Sequence, residues 1–139
     1  MTDKSNSLEK YWPAQKFIGL SVFDSKENDC GKIQSVYIDP QTFSVSGVMV
    51  KKRLSSEYFL SITYFENLSE SSLKLNSIPI KPHDKVVDVD GKSMGKVTKI
   101  SFDSKTNKIE SIEIKYLFKS KIILSDNIVG VGDKITIKA

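Results

Sequence analysis

Residues 22–51 read VFDSKENDCGKIQSVYIDPQTFSVSGVMVK, and residues 86–115 read VVDVDGKSMGKVTKISFDSKTNKIESIEIK. The second stretch repeats the first without a gap, 64 positions further along the chain. The identical residues are Val22, Asp24, Gly31, Lys32, Asp39, Thr42 and Lys51, which match Val86, Asp88, Gly95, Lys96, Asp103, Thr106 and Lys115. The chain is therefore an internal tandem repeat, and each copy is expected to fold as a similar unit.

The apolar residues of both copies depart from the simple alternation of a β-strand. Ile33, Val36 and Ile38 are spaced i, i+3, i+5, and so are Val45, Val48 and Val50; the same spacing recurs at the matching apolar residues of the second copy. An extra residue that shifts the pleat produces this spacing, so we expect β-bulges near 33–36 and 97–100. Bulged and bent strands close small barrels. The sequence predicts an all-β protein with two tandem small bent β-barrels of five to six strands each.

The repeat divides the chain into three parts. We expect a polar N-terminal tail over residues 1–15, a first domain over 16–78 and a second domain over 79–139. Units of about 60 residues have marginal cores, so the two domains are expected to pack on each other. Pro79 and Pro82 predict a short, stiff connection between them.

Secondary structure outside the matched stretches is less regular. A first strand is predicted from Phe17 to Phe23, and a single helical turn is allowed between Tyr64 and Leu75. Closing strands are predicted around 73–75 and 135–137, with two extra residues in the first copy when 59–61 is aligned on 123–125.

Lysine dominates the charge of the chain. The net charge is +4, and residues 79–139 hold 12 basic and 8 acidic residues, which accounts for the whole excess. Arg53 is the only arginine. Phosphate and base recognition favours the planar arginine fork, so scattered lysine indicates a solvated face and disfavours nucleic acid as a partner.

Catalytic and metal-binding patterns are missing from the sequence. With one histidine (His83) and one cysteine (Cys30), the chain cannot supply a catalytic triad or a structural zinc site. Asp84, Asp88 and Asp90 lack the later glutamate of a calcium loop. We therefore expect no enzymatic activity, no metal and no cofactor. A single cysteine, a polar start and the absence of a long apolar run predict a cytoplasmic protein without a transmembrane segment.

Apolar side chains that lie among cations are the best candidates for binding a protein. The predicted partner-binding residues are Tyr11, Trp12, Lys51, Arg53, Tyr58, Phe59, Tyr116, Phe118 and Lys119. Trp12 could instead fold back over the first domain. If the strand from Ile109 continues past Lys115, Leu117 points into the core, and Tyr116 and Phe118 point outward to the sister domain or to a partner.

Short motifs in both copies resemble the PRC-barrel superfamily. They are Gly31–Lys32–Ile33 leading to Asp39, the equivalent Gly95–Lys96–Val97 leading to Asp103, and the closing segment IVGVGDKITI over residues 128–137. The resemblance implies a compact bent β-barrel, as found in the photosynthetic reaction centre H subunit, in a ribosome maturation factor and in small archaeal proteins tied to cell division.

The resemblance also implies a class of function. Such barrels bind proteins through their surfaces, so the chain is expected to be a non-catalytic adaptor or scaffold whose partners include other proteins or a second copy of itself. An archaeal-type cell-division or membrane-associated complex is the expected setting, with membrane association only peripheral. The alternative is an RNA-processing or ribosome-assembly factor, and a small-molecule or ion sensor is a third class.

Overall fold

The computed structural model describes residues 10–138 of the chain, and nearly all of its regular structure is β-strand. The first domain has strands β1 (Ser21–Phe23), β2 (Asp29–Asp39), β3 (Ser44–Lys51), β4 (Tyr58–Ser61), β5 (Phe65–Leu68) and β6 (Ser72–Leu75). The second has β7 (Lys85–Asp88), β8 (Ser93–Phe102), β9 (Ile109–Tyr116), β10 (Lys119–Leu124), β11 (Ile128–Val131) and β12 (Ile135–Ile137). Three short 3-10 helices span Ala14–Phe17, Ile62–Tyr64 and Ser125–Asn127.

Each domain is one six-stranded mixed sheet. The strand order is β4-β3-β2-β1-β6-β5 in the first domain and β10-β9-β8-β7-β12-β11 in the second. Only the β1–β6 and β7–β12 pairs are parallel among the ladders of residues 10–138. The prediction of an all-β fold with two tandem units of five to six strands each is confirmed, and each unit has six. Such sheets are compatible with the predicted bent barrels, although no ladder in the described chain joins β4 to β5 or β10 to β11.

The predicted bulges are present at equivalent places. The register of β2 against β3 shifts between Ile33 and Ser35, and that of β8 against β9 shifts between Val97 and Lys99. A bulge adds a residue to one strand and bends it, which brings Val36 and Ile100 to the inner face, where they pack against the two cores. The i, i+3, i+5 spacing therefore predicted real irregularities of the backbone.

The repeated aspartates build the turns of both domains. The Asp24 Oδ1 atom accepts hydrogen bonds from the backbone N–H groups of Lys26 and Asn28, and Asp88 Oδ1 does the same for Asp90 and Lys92. Asp39 and Asp103 make the equivalent contacts at the next turn, with Gln41 N and Lys105 N at 2.8 Å. Aspartate recurs because its short side chain can satisfy the backbone donors of a tight turn.

Two separate apolar cores lie inside the two sheets. Seven buried positions are equivalent: Val22, Ile33, Val48, Val50, Leu60, Leu73 and Leu75 match Val86, Val97, Ile112, Ile114, Ile123, Ile135 and Ile137. The first core also contains Leu20, Cys30 and Tyr58, whereas Ile80 completes the second. Each domain therefore has its own buried core.

Three sequence-based expectations need correction. The first strand begins at Ser21, because the 3-10 helix Ala14–Phe17 and Gly19 at φ +88° precede it. The helical turn lies at Ile62–Tyr64, and the segment that follows forms β5 and β6 instead. The two extra residues of the first copy do not lie together. Leu60 pairs with Val48 as Ile123 pairs with Ile112, so Leu60 is equivalent to Ile123 and one extra residue lies before β4. The other lies before β6, because Leu73 pairs with Val22 as Ile135 pairs with Val86.

The domains meet at a joint between β4 and the far end of the β8–β9 hairpin. The ring of Phe59 packs against that of Phe102, with centroids 5.2 Å apart and planes at 76°. The Ser61 hydroxyl, fully buried, donates a hydrogen bond to the backbone carbonyl of Asn107. On the first-domain side, Tyr37 packs edge-on against Phe59 at 5.8 Å. The expected packing of the two copies on each other thus takes place through these residues.

Candidate protein-interaction surface

The β9–β10 hairpin ends in three exposed apolar residues. Tyr116 pairs with Lys119 across the hairpin, and Leu117 and Phe118 form a two-residue turn between them. Leu117 is 75% exposed and Phe118 is 98% exposed, while Tyr116 is about half exposed. We refer to Tyr116, Leu117 and Phe118 as the hairpin tip.

The inward orientation predicted for Leu117 is wrong. That prediction assumed that the strand continues past Lys115, but the chain reverses at Leu117. Leu117 has φ +59°, a left-handed conformation that suits glycine or asparagine and is unfavourable for leucine. A large apolar residue therefore occupies a strained and solvated position, at a cost to the stability of the isolated domain.

A glycine that both copies share lets a neighbouring strand pack closely against the base of the hairpin. Gly95 on β8 has φ +121°, and a Cβ atom there would collide with the carbonyl oxygen of Lys115. Gly31 stands in the same relation to Lys51 in the first domain. Glycine recurs at this position because β8 must approach the end of β9 closely.

Two grooves flank the hairpin tip. The larger, of about 470 Å³, lies between the hairpin and the β7–β8 turn and includes Gly95 and Leu117 in its wall. The smaller, of about 290 Å³, has Met94 and Ile114 in its wall, and Tyr116 borders both grooves. We name the smaller one the apolar groove.

The apolar groove lies where the first domain is filled by a side chain. Tyr58 pairs with Val50 in the first domain, and Lys121 pairs with Ile114 at the equivalent position of the second. Tyr58 is buried at 8% exposure, and its hydroxyl donates a 2.8 Å hydrogen bond to the Cys30 carbonyl. With lysine in place of tyrosine, this part of the second core remains open to an apolar group from outside.

Lysines surround both grooves. The lysines that line them are Lys85, Lys92, Lys96, Lys115, Lys119, Lys121 and Lys134. No described residue in the lining of either groove is acidic, and none of the ion pairs found within residues 10–138 involves these lysines. The surface therefore combines an apolar centre with a cationic rim, which favours an acidic ligand with an apolar anchor.

The first domain has an equivalent but different surface. Lys51 and Arg53 line a groove of about 500 Å³ there, and Arg53 has φ +50°, like its counterpart Leu117. Leu54 is fully exposed at the position of Phe118. The lining includes one carboxylate, that of Asp29, so the positive charge is less uniform than in the second domain.

The aromatic pair Tyr58–Phe59 is not available at the surface in the way the sequence suggested. Burial raises the pKa of the Tyr58 phenol well above its usual value, which keeps it protonated as a donor to Cys30. Phe59 lies in the joint between the domains, in contact with Phe102. Both side chains therefore serve the packing of the protein itself.

The aromatic pair near the N-terminus also divides. Trp12 packs against the first core, with its ring 5.3 Å from that of Phe17, and the Lys16 ammonium lies 4.1 Å from the Trp12 ring centroid. Tyr11 remains mostly exposed. Of the sequence-predicted residues, the structure brings Tyr116, Phe118 and Lys119 together on one hairpin and Lys51 and Arg53 on another surface.

Several exposed apolar residues escaped the sequence analysis. They are Ile38, Phe43, Leu54, Ile122 and Leu124. The exposure of Phe43 could have been predicted, because asparagine, a residue typical of exposed turns, stands at the equivalent position 107, and both residues have φ near +60°. Exposure could also have been predicted in the run Ile122–Ile123–Leu124, since only alternate side chains of a strand face the core.

Within the described residues, no helix is long and apolar enough to span a bilayer. Residues 10–138 also contain no group of three or more His, Cys, Asp or Glu side chains placed to hold a metal ion.

Comparison with protein families assigns both halves of the chain. A family model described as PRC-barrel domain matches residues 13–81 and again residues 83–139. Comparison with curated proteins finds no match. Each family match contains one complete six-stranded sheet.

Proposed function

Because the chain belongs to the PRC-barrel family, with one domain of that family in each half, we propose that it is a non-catalytic adaptor that holds a protein partner on its second domain. PRC-barrel domains are generally involved in protein interactions or scaffolding. The setting we propose is an archaeal-type cell-division or membrane-associated complex, as the sequence resemblance suggests.

The observation that supports this proposal is the hairpin tip beside the apolar groove. Phe118 and Leu117 are exposed large apolar side chains, and a soluble domain gains nothing in stability by presenting them to water. The groove next to them lies where Tyr58 completes the first core. A partner side chain inserted into this groove would complete the second core in the same manner.

The cationic rim defines the chemistry of the partner. Seven lysines without a carboxylate in the groove linings attract an acidic segment and speed its encounter with the surface. We therefore propose that the partner presents an acidic protein segment with one large apolar or aromatic anchor.

The non-catalytic part of the proposal rests on the two residues most able to do chemistry. His83 lies in a turn at φ +74°, and its backbone N–H donates to the Val97 carbonyl. Cys30 is buried, and burial raises the pKa of its thiol, which keeps it in the unreactive protonated form. Both residues line one small pocket with Asp29, Lys52 and Lys81, but no hydrogen bond within residues 10–138 joins them, and the Cys30 thiol donates to the backbone carbonyl of Asn28 instead.

RNA is the second candidate ligand, because the same lysine rim would attract phosphates. Tyr116 and Phe118 could stack on unpaired bases. The absence of arginine from the rim argues against this alternative, since bidentate phosphate contacts favour arginine.

An affinity pull-down from the native host with the full chain tests the proposal. We expect Phe118→Ser to lose the specific protein partner, because truncating a central aromatic anchor costs about 2 kcal/mol or more of binding free energy. Leu54→Ser is the matched control, since Leu54 is the exposed equivalent in the first domain. Retention of the same partners by Phe118→Ser would contradict the proposal.

Two further measurements separate protein from RNA. With the purified partner, Lys119→Glu should weaken binding, and salt should lower the association rate more than it raises the dissociation rate. Phe118→Leu should keep most of the affinity for a protein that buries an apolar tip, but it should lose a base stacked on the ring. Sub-micromolar binding of RNA at physiological salt that is lost in Phe118→Leu would favour the alternative.

A further inference from the structure

The joint between the two domains uses two different surfaces. The first domain contributes the outer face of β4, with Phe59 and Ser61, and the second contributes the β8–β9 turn, with Phe102 and Asn107. Because the domains are copies, each also carries the equivalent of the surface that the other one uses. A contact of this head-to-tail kind leaves one unused surface of each type on the molecule.

The unused surfaces can be identified from strand pairing. Ile122 lies opposite Glu113 as Phe59 lies opposite Met49, and Leu124 lies opposite Ser111 as Ser61 lies opposite Gly47. The outer face of β10 in the second domain is therefore the counterpart of the β4 face. We name it the free face, and its residues are Ile122 and Leu124.

The second unused surface is the β2–β3 turn of the first domain. Ile38 and Phe43 stand at the positions of Phe102 and Asn107, 64 residues earlier in the chain. The two turns have the same construction, because Phe43 N donates to the Asp39 carbonyl at 2.8 Å and Asn107 N donates to the Asp103 carbonyl at 2.9 Å. We name Ile38 and Phe43 the free turn.

Both free surfaces are apolar and exposed. Ile122 is 64% exposed and Leu124 is 57% exposed on the free face, and Phe43 is 86% exposed on the free turn. Their chemistry has changed in a matched way relative to the joint. Where the joint sets a serine hydroxyl against the backbone of an asparagine, the free surfaces carry leucine and phenylalanine, so an apolar pair would replace a polar one.

Phe43 is costly to the isolated chain in two respects. Its φ of +59° is a conformation that asparagine adopts readily and phenylalanine does not. Its ring is also presented to water. The equivalent Asn107 shows that the turn forms without an aromatic residue, so turn formation does not explain Phe43, whereas a contact with another molecule does.

We infer that a second copy of this chain covers these surfaces: the free face of one copy receives the free turn of the next, which repeats between molecules the joint that exists within each molecule. This contact is distinct from the hairpin tip of the proposed function. Since it is head-to-tail, it produces either a ring or an extended chain of molecules.

Light scattering and sedimentation of the full protein test the inference. The mass of the wild type should rise above that of the 15.6 kDa monomer as the concentration increases from about 1 µM to about 1 mM. Leu124→Lys on the free face and Phe43→Asp on the free turn should each weaken self-association about tenfold or more. Phe118→Ser is the matched control and should associate like the wild type.

Mixing the two variants gives the sharpest result. Leu124→Lys keeps its free turn and Phe43→Asp keeps its free face, so a mixture should form a one-to-one dimer at concentrations at which each variant alone stays largely monomeric. A two-fold contact between identical surfaces could not do this. Both altered residues are exposed, so each variant should keep the fold, and circular dichroism of each variant checks this.

Three results would overturn the inference. The first is a wild type that stays monomeric over the whole concentration range. The second is an associating wild type whose assembly is unaffected by Leu124→Lys and Phe43→Asp, and the third is a mixture of these variants that remains monomeric. If a different protein competes for the free face and the wild type alone does not associate, the occupant is that protein.

Discussion

The contact between Phe59 and Phe102 gives a measurable test of how the two domains stabilise each other. The rings meet edge to face at 5.2 Å, a geometry in which the positive edge of one ring lies on the negative face of the other. Such a pair contributes about 0.5–1.5 kcal/mol beyond the burial of its surface. A double-mutant cycle with Phe59→Ala and Phe102→Ala should return a coupling energy in this range.

The two single variants should differ in their effect on stability. Phe59 also packs edge-on against Tyr37 at 5.8 Å, and its ring covers Gly47, so Phe59→Ala removes contacts on both sides of the joint. Neither ring is fully buried, so both costs should be below the roughly 3–5 kcal/mol of a deeply buried phenylalanine. We expect about 2–3 kcal/mol for Phe59→Ala and about 1–2 kcal/mol for Phe102→Ala.

Urea unfolding with two probes measures these quantities. The single Trp12 packs on the first core, so its fluorescence follows the first domain, whereas far-ultraviolet circular dichroism follows both. The wild type should show coincident transitions, and the variants should show separated ones as the domains uncouple. Effects of the two substitutions that add within about 0.3 kcal/mol would refute the reasoning, because residues in contact should couple.

Two further substitutions test individual positions. Tyr58→Phe removes the buried hydrogen bond to the Cys30 carbonyl and should cost about 0.5–1.5 kcal/mol at neutral pH. Burial raises the pKa of folded Tyr58, so its contribution to the free energy of unfolding is fully present below the unfolded pKa of about 10 and is lost as the pH rises above it. In thermal unfolding at increasing alkaline pH, Tyr58→Phe should therefore lose less stability than the wild type. Equal dependence of stability on pH in the two proteins would contradict the assignment. Leu117→Gly should leave stability unchanged or raise it by up to about 1 kcal/mol, since it relieves a left-handed leucine, whereas a loss of about 2 kcal/mol or more in urea unfolding would mean that Leu117 is a core residue after all.

The parts of the fold that could be predicted from the sequence are those set by local chemistry. Asp24 and Asp88 recur because each closes the same turn, and Gly31 and Gly95 recur because a Cβ would collide with the neighbouring strand. Bulges leave a trace in the spacing of apolar residues, which is why the shift after Ile33 could be placed. Repetition strengthened each of these signals, because a turn or bulge that occurs twice is difficult to attribute to chance.

The joint could not be placed from the sequence. It depends on Phe59 meeting Phe102, two residues that are distant in the chain and have no shared motif. Packing between the copies was expected, but its predicted place was the outward pair Tyr116 and Phe118, which the structure leaves exposed. The orientation of Leu117 failed for a related reason, since alternation along a strand predicts faces only where the strand continues.

The divergence between equivalent positions shows how a repeated fold can acquire unequal roles. At one position Tyr58 fills the first core, whereas Lys121 leaves the apolar groove open in the second domain. The seven shared core positions keep both sheets folded, so this exchange is possible without loss of the fold. The first domain is thereby the more completely filled of the two, and the second has the open groove and the lysine rim. A single substitution that copies the first domain tests this division. Lys121→Tyr should fill the apolar groove and stabilise the second domain, and it should weaken binding of the proposed partner. Partner binding that survives Lys121→Tyr while Phe118→Ser abolishes it would show that the tip alone, without the groove, holds the ligand.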